Sequence, residues 1–230
     1  MNSTKHFVPV GKAHPVEWIG YIAAAAISII HVLPTGMVLR TIGILLSASV
    51  LILFAYVIAT NGKRTIQDIS ITFFGIFYIV IFLMFIPIIH ANLVNGKILI
   101  WFVFFSAWIT DVFAYIVGKC FGKHHFTEIS PNKTIEGCIG GVIGSVTVLI
   151  IYAIVCNSVW KTQMNYGFVI LVGALLSMVS QIGDLSASAV KRYNGIKDFS
   201  NLIPGHGGML DRIDSIIFIA PFAYFLLMMF

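Results

Sequence analysis

A dense group of charged residues lies between Ser188 and Asp214 of a chain that is otherwise mostly apolar. Its four basic and three acidic members are Lys191, Arg192, Lys197, Arg212, Asp198, Asp211 and Asp214. Charged side chains are costly in and near a lipid bilayer, so they are usually kept there for function. We therefore expect residues 188–214, called here the charged segment, to carry the chemistry of the protein.

Four aspartates have positions that suit a metal site, namely Asp111, Asp184, Asp211 and Asp214. Asp211 and Asp214 are three residues apart and would share one face of a helix. Carboxylate oxygens without a set of histidines or cysteines favour a hard cation such as Mg²⁺. Nearby lysines and arginines suit anionic oxygens, so the group predicts metal-assisted phosphoryl chemistry. The alternative for an aspartate inside a membrane is a helix-packing partner or a part of an ion pathway.

A second polar stretch, residues 129–137, could form another wall of the same site. It contains Ser130, Lys133, Thr134 and Glu136. Thr134 and Glu136 are of types that cap a helix, which is their simpler interpretation. Lys133 and the two hydroxyls would instead suit a phosphate.

The charged segment also contains the tight turn His206-Gly207-Gly208. Its glycines would let the backbone approach a ligand closely and present N–H groups to an anion. The alternative for His206 is an ordinary loop histidine.

The composition excludes a water-soluble globular protein. The 230 residues are 59% hydrophobic and only 10% charged, whereas a soluble domain has roughly 25% charged residues. The mean hydropathy is +0.97. The net charge of +5 is not gathered into a Lys/Arg-rich run, so nucleic acid is not expected as a partner. We expect a polytopic protein in contact with membrane lipids.

Seven apolar segments are long enough to form spanning helices of roughly 20 residues. They are Val16–Leu33, Val38–Thr60, Ile69–Ile89, Ile98–Gly118, Gly137–Cys156, Tyr166–Leu185 and Ile213–Phe230. Lipid offers the backbone no hydrogen-bond partners, which favours helices. The predicted fold class is therefore all-α, a transmembrane helical bundle of about seven spans. We divide it into residues 1–110, the N-terminal transmembrane helices, and residues 111–230, a catalytic region with cytoplasmic loops.

Loop charges predict the orientation of this bundle. With seven spans, eleven of the fourteen Lys and Arg residues fall on one side of the membrane. The other three are Arg40, Lys97 and Lys161. Because the positive side is usually cytoplasmic, we predict a cytoplasmic N-terminus. This orientation also places both long polar loops in the cytoplasm, where nucleotides are found.

Glycines recur at four-residue spacing in the fifth predicted span, at Gly137 and Gly141 and again at Gly140 and Gly144. This spacing is typical of helices that pack closely against a neighbour.

The order of the charged residues resembles the signature of the phosphatidate cytidylyltransferase (CDP-diacylglycerol synthase) family. The resemblance rests on Ser188-x-x-Lys191-Arg192, on Lys197-Asp198 and on Pro204-x-His206-Gly207-Gly208-x-x-Asp211-Arg212-x-Asp214. Upstream elements of the family are matched by Asp111-x-x-Ala114-Tyr115-x-x-Gly118, by Ser130-Pro131-x-Lys133-Thr134-x-Glu136-Gly137 and by Gly183-Asp184-Leu185. A charge-rich pattern that extends over about residues 111–214 is far more specific than a lone glycine motif.

The resemblance implies transfer of the cytidylyl group of CTP to phosphatidic acid, with CDP-diacylglycerol and pyrophosphate as products. It also implies that Asp184 and Asp211 bind Mg²⁺, with K⁺ as an optional second ion. A homodimer is a family-level expectation. We expect a bacterial inner-membrane location, with the site facing the cytoplasm.

Our assignment of roles combines this resemblance with the chemistry of the residues. The expected catalytic residues are Asp211, Lys191, Arg192, Lys197 and His206. The expected substrate-binding residues are Ser130, Lys133, Thr134, Glu136, Ser188, Gly207, Gly208 and Arg212. Asp184 and Asp211 would hold the metal, and Asp111 and Asp214 would support the surrounding helices.

Other function classes stay open at this point. The nearest is another CTP-dependent membrane lipid enzyme, such as a polyprenol-type kinase or a CDP-archaeol synthase, because acceptor choice depends on apolar contacts. A CDP-alcohol phosphatidyltransferase is disfavoured, since its Asp-Gly-x2-Ala-Arg…Gly-x3-Asp-x3-Asp pattern is absent. A transporter with buried carboxylates is a different class. Transporters often contain internal repeats, and no convincing repeat is apparent in this chain.

Overall fold

A computed structural model describes residues 15–28, 35–60, 64–127, 130–200 and 208–229. Within these ranges the regular structure is helical, and the extended backbone is limited to one bridge between His125 and Thr134. The all-α prediction is confirmed. The helices belong to two compact units, residues 1–81 and residues 82–230. The predicted division at residue 110 is based on where the candidate catalytic residues lie, not on how the helices pack. It stays a prediction.

In the first unit, the described residues form three α-helices and a π-helical segment. They are α1 (Glu17–Ser28), α2 (Thr35–Ala59), α3 (Ile66–Gly75) and the π-helical segment Ile76–Ile81. Helix α3 begins at a capping box, in which the Thr65 hydroxyl accepts from the N–H of Asp68 and the Asp68 carboxylate accepts from the N–H of Thr65. Such a cap satisfies backbone donors that the first turn leaves unpaired. The core of the unit is made of Val16, Ile19, Leu53, Ile69 and Ile76.

In the second unit, which carries the charged segment, the described residues form five α-helices. They are α4 (Phe82–Asn92), α5 (Gly96–Phe121), α6 (Ile135–Val159), α7 (Tyr166–Tyr193) and α8 (Leu210–Leu227). Successive helices alternate in direction, so the unit has two ends. At one end, called the polar end, α5 and α7 finish while α6 and α8 begin. At the other, called the opposite end, α4, α6 and α8 finish while α5 and α7 begin.

Glycines let α5 and α6 approach each other closely, as their spacing predicts. A Cβ atom added at Gly140 would lie 2.6 Å from the Val117 side chain, and one added at Gly137 would lie 2.6 Å from the carbonyl oxygen of Ala114. These positions have no room for a larger residue. The tight contact fixes the start of α6 beside the last turns of α5, where the polar end lies.

Among the residues that the structure describes, five helical segments are long and apolar enough to cross a membrane. They are Arg40–Ala59, Ile66–Asn92, Gly96–Phe121, Ile135–Val159 and Tyr166–Tyr193. The chain is thus an integral membrane protein, as its composition indicates. Helices α1 and α8 overlap the first and seventh predicted spans, but the count of seven and the cytoplasmic N-terminus stay predictions.

The sixth predicted span was wrong at its end. Helix α7 does not stop near Leu185 but continues to Tyr193. Ser188, Lys191 and Arg192 therefore lie on a helix rather than in a loop. The physical reason is that charged residues do not break a helix, and the last turn favours cations that interact with the negative end of the helix dipole.

Candidate active site

A cavity of about 280 Å³ lies at the polar end of the second unit. Four helices and the loop before α6 contribute to it. Its lining residues are Asp111, Ala114, Tyr115, Asn132, Lys133, Thr134, Gly137, Cys138, Gln181, Asp184, Asp211 and Asp214. Six of the sequence-predicted site residues are among them, including all four aspartates. We call this space the aspartate cavity.

Asp184 forms an ion pair with Lys133 across the aspartate cavity. Asp184 lies on α7, and Lys133 lies in the loop that leads into α6. The preceding residue, Gly183, keeps α7 close to α8, because an added Cβ would lie 3.0 Å from the Phe218 side chain and 3.2 Å from the carbonyl oxygen of Asp214. The pair therefore joins two elements that are 51 residues apart in sequence, and both charges face the same space.

Asp211 is held by a second lysine and by two backbone donors. Lys191 Nζ lies 2.8 Å from Asp211 Oδ1, and the two side chains are only 12% and 5% exposed. The N–H groups of Phe199 and Gly208 donate to Asp211 Oδ2 at 2.9 and 3.0 Å. The ammonium of Lys191 also lies 5.4 Å from the centre of the Phe199 ring. Asp211 thus connects α7, the loop after it and α8.

Gly208 is required at its position for close approach. A Cβ atom there would lie 2.6 Å from Ser200 Oγ and 3.1 Å from Asp211 Oδ2. A larger residue would displace the carboxylate or the loop. In this structure the backbone N–H of Gly208 orients the Asp211 carboxylate. Contact of Gly208 with a substrate stays a prediction.

The pKa of Asp211 reflects two opposed effects. Burial alone would raise the pKa of this carboxyl group, whereas the hydrogen bonds from Lys191, Gly208 and Phe199 favour the charged form. The hydrogen bonds dominate and hold the pKa of Asp211 below its ordinary value. Asp211 is therefore a carboxylate at neutral pH.

Asp111 and Asp214 complete the acidic wall. Asp214 Oδ1 accepts from the N–H of Ser215 at 2.8 Å. Both carboxyl groups interact electrostatically with Asp184. Four acidic groups around one small space repel one another unless cations balance them, and the two lysines supply part of that balance.

The oxygen atoms that line the cavity are of the type that binds a hard cation, but in this structure they are not arranged around a single metal position. Carboxylate and amide oxygens are what Mg²⁺ prefers. Among the described residues, however, no three His, Cys, Asp or Glu side chains stand close enough to hold one metal ion. Asp184 and Asp211, the predicted metal ligands, are each paired with a lysine instead. A cation would have to replace those ammonium groups, so the metal site stays a prediction.

Thr134 and Glu136 organise the loop before α6. The Thr134 hydroxyl caps α6 by accepting from the N–H of Gly137 at 3.1 Å, so the simpler interpretation of this residue holds, although Thr134 also lines the aspartate cavity. Glu136 accepts from the N–H groups of Lys123 and His124 and lies 2.6 Å from His124 Nδ1. Glu136 therefore fixes the path of the loop that carries Lys133.

Several predicted residues lie outside the lining of the aspartate cavity. Of the described residues these are Ser130, Glu136, Ser188, Lys191, Arg192, Lys197, Gly208 and Arg212. Ser188 lies one turn from Asp184 and from Lys191 on α7, on the same face. Arg192 donates to the carbonyl oxygen of Ile196 at 3.3 Å, and Lys197 is exposed. The predicted residues His206 and Gly207 lie outside the described residues.

Six lining residues are not among the predicted site residues: Ala114, Tyr115, Asn132, Gly137, Cys138 and Gln181. Gln181 is 9% exposed, and its amide donates to the carbonyl oxygen of Cys138 at 3.2 Å. The sequence contains a sign that Gln181 is important, because it lies inside an apolar span one turn before Asp184. A buried amide is costly there unless it has a hydrogen-bond partner. Cys138 has no such signal, since a small residue in an apolar span is ordinary.

Comparison with known proteins gives consistent matches. Residues 6–230 match the sequence profile of the cytidylyltransferase family. The chain is 38% identical over 184 residues to a phosphatidate cytidylyltransferase of Bacillus subtilis, covering 79% of this chain and 66% of the relative. It is 37% identical over 177 residues to a phosphatidate cytidylyltransferase of Staphylococcus haemolyticus, covering 76% and 65%. The matched region thus spans just under two thirds of the length of these curated relatives.

Proposed function

The chain belongs to the cytidylyltransferase family, and from that premise we propose that it transfers the cytidylyl group of CTP to phosphatidic acid. In this reaction an oxygen of the lipid phosphate attacks the α-phosphorus of CTP. The bond between the α-phosphorus and the bridging oxygen breaks, and pyrophosphate leaves. The products are CDP-diacylglycerol and pyrophosphate. Support comes from the relatives named phosphatidate cytidylyltransferase and from the residues of the aspartate cavity.

The observation that supports this proposal most directly is that Asp184 and Asp211 both line the aspartate cavity and that each is paired with a lysine, Asp184 with Lys133 and Asp211 with Lys191. The reaction needs no strong base, because the attacking lipid phosphate is already anionic. The barrier lies in bringing polyanions together and in stabilising the charge on the leaving pyrophosphate. Preorganised cationic groups in a small, partly buried space lower both costs.

We assign the two aspartates to Mg²⁺ and the two lysines to phosphates. Asp184 and Asp211 would hold the ion, which when bound neutralises phosphate charge and orients the triphosphate. Lys133 and Lys191 would then be released to contact phosphate oxygens of CTP or of the lipid. Gly208, through its N–H, would keep Asp211 oriented during this exchange. K⁺ as an optional second ion stays a prediction.

The remaining predicted residues have supporting positions in this scheme. Arg192 and Lys197 are both exposed, and they would attract CTP from water by their positive charge. Asp111 and Asp214 keep the acidic wall of the cavity. His206 and Gly207 stay predicted contributors to the nucleotide site.

We further propose seven spans with a cytoplasmic N-terminus, so that the polar end faces the cytoplasm. The polar end receives the start of α6 and the loop between α7 and α8, and the cytoplasmic assignment follows the excess of basic residues in those loops. Bacterial relatives support an inner-membrane location. A homodimer stays a family-level expectation.

Labelled CTP separates this activity from the nearest alternatives. Purified protein is incubated with phosphatidic acid and CTP that carries ³²P at either the α or the γ position. The proposal predicts that the α label enters the lipid fraction and that the γ label leaves as pyrophosphate. Entry of the γ label would identify a kinase instead. Absence of both labels from lipid, in folded protein with Mg²⁺, would overturn the proposal.

A further inference from the structure

A second and larger cavity lies at the opposite end of the second unit. It has a volume of about 820 Å³. Its lining residues are Asn92, Leu93, Val94, Asn95, Thr162, Gln163, Asn165, Phe168, Leu227, Met228 and Met229. Asn95 of this cavity and Asp111 of the aspartate cavity are 16 residues apart along α5, which is about 24 Å at 1.5 Å of rise per residue. The proposed transfer reaction does not use it. We call it the opposite cavity.

Asn92 contributes a buried donor without a partner. Its Nδ2 atom has no hydrogen-bond partner among the residues that the structure describes, and it is shielded from solvent. A buried polar group in this condition costs free energy, and such a group is a sign of a missing acceptor. Because Asn92 lines the opposite cavity, a rotation of its side chain would bring the buried amide to an acceptor on a molecule bound there.

The loop between α6 and α7, which forms one wall of the cavity, is held by hydrogen bonds. Asn157 Oδ1 accepts from the Thr162 hydroxyl at 2.8 Å and from the N–H of Met164 at 2.7 Å, and its amide donates to the carbonyl oxygen of Met164 at 3.0 Å. Among the described residues, the non-glycine positions with positive φ are Asn95, Lys161 and Gln163. Asn95 and Gln163 line the cavity and Lys161 adjoins it. Strained backbone of this kind often occurs at ligand sites.

The charge around the opposite cavity favours an anion. Lys97 and Lys161 are exposed and lie within two residues of lining residues. The segments that form the cavity, residues 92–97, 157–168 and 225–229, contain no Asp or Glu. The ligand must also be amphipathic, because Phe168 at the start of the membrane-spanning α7 and Leu227 and Met228 at the end of α8 form an apolar part of the wall.

We propose that the opposite cavity binds the phosphate-bearing head group of an anionic phospholipid, at the membrane face opposite the aspartate cavity. The Asn92 amide donates to a phosphate or ester oxygen, Lys161 balances the phosphate charge, and the acyl chains follow the apolar end of α8. The site is a second lipid-binding site, distinct from the one that would hold phosphatidic acid for the reaction.

Native mass spectrometry of the purified protein tests this proposal. The probe is phosphatidylglycerol, which is anionic but lacks the free phosphate monoester that the proposed reaction needs, with phosphatidylcholine of the same chains as the neutral comparison. We expect one phosphatidylglycerol to bind about tenfold more tightly than phosphatidylcholine. Asn92→Leu and Lys161→Gln should each lower its affinity by about fivefold or more. Arg40→Gln is the matched control, because it removes an exposed cation from the same predicted side of the membrane, and it should have no effect.

Thermal unfolding without added lipid separates binding from folding. Asn92→Leu removes an unsatisfied donor, so it should leave the melting temperature unchanged or higher. If Asn92→Leu does not fold, the phosphatidylglycerol affinity of Lys161→Gln decides the test. Equal affinity for both lipids, equal binding by all variants, or equal stabilisation by inorganic phosphate alone would overturn the proposal.

Discussion

Lys191 Nζ lies 2.8 Å from Asp211 Oδ1 and joins the last turn of α7 to the first turn of α8. Both side chains are nearly buried, so neither charge is free to pair with water instead. Breaking a buried pair by removing one partner leaves an uncompensated charge, which is strongly unfavourable. The pair therefore holds the site together before substrate arrives, and it occupies groups that the reaction would need.

Asp211→Asn tests whether the charge of this residue is needed for turnover. The amide keeps an oxygen that can accept from the N–H groups of Phe199 and Gly208, but it cannot hold Mg²⁺ as a carboxylate does. We expect activity to fall by at least about 100-fold, while the protein still inserts in the membrane. Size-exclusion chromatography in detergent checks the fold. Full activity in this variant would remove Asp211 from the metal site.

Lys133→Ala tests the loop before α6. Lys133 pairs with Asp184 across the aspartate cavity, and we propose that it contacts a phosphate of CTP. The KM for CTP should rise by about tenfold, with expression little affected. Lys119→Ala is the matched control, because it removes a lysine of α5 that does not line the cavity. If both variants have wild-type kinetics, the loop is not part of the nucleotide site.

Lys191→Met tests the competition between lysine and metal. In the unliganded protein a divalent ion must replace the ammonium to reach Asp211, whereas in the variant the carboxylate is left without its cation. We expect Mg²⁺ or Mn²⁺, without CTP, to raise the melting temperature of Lys191→Met by at least about 2 °C more than that of wild type, a shift that roughly 1 kcal/mol produces in a chain of this size. An equal response of both proteins would contradict the assignment of Asp211 to the metal.

Thr134→Ala tests the start of α6. The hydroxyl caps the helix, and loss of such a cap costs about 1 kcal/mol. The melting temperature should fall in Thr134→Ala, and Thr134→Ser should restore most of it because serine keeps the hydroxyl. An unchanged melting temperature in the alanine variant would show that the cap contributes no stability.

The sequence predicted the helices of the second unit well, because long apolar segments in lipid have few alternatives to a helix. It also predicted that the four aspartates belong together, since charges this far into apolar spans rarely occur without a function. Gly140 is a further success, because its spacing indicates the close contact with α5 that the structure contains.

The pairing of side chains could not be predicted in the same way. That Lys133 pairs with Asp184, and Lys191 with Asp211, depends on how α6, α7 and α8 are placed, which spacing along the chain does not determine. The polar residues after Leu185 suggest that the helix ends there, and this prediction misses the last two turns of α7. Lys191 and Arg192 nevertheless suit the last turn of a helix. The pairing of Glu136 with His124 is not evident from the sequence, and contact of Glu136 with a substrate stays a prediction.

The most direct test is pyrophosphate release by the purified protein in the presence of CTP, phosphatidic acid and Mg²⁺, each omitted in turn. The account predicts release that requires all three components, since the lipid phosphate displaces pyrophosphate at a site that needs the cation. Turnover with a different lipid phosphate or alcohol, but not with phosphatidic acid, would contradict the proposed acceptor. No release with any acceptor, from folded protein, would contradict the cytidylyl transfer itself.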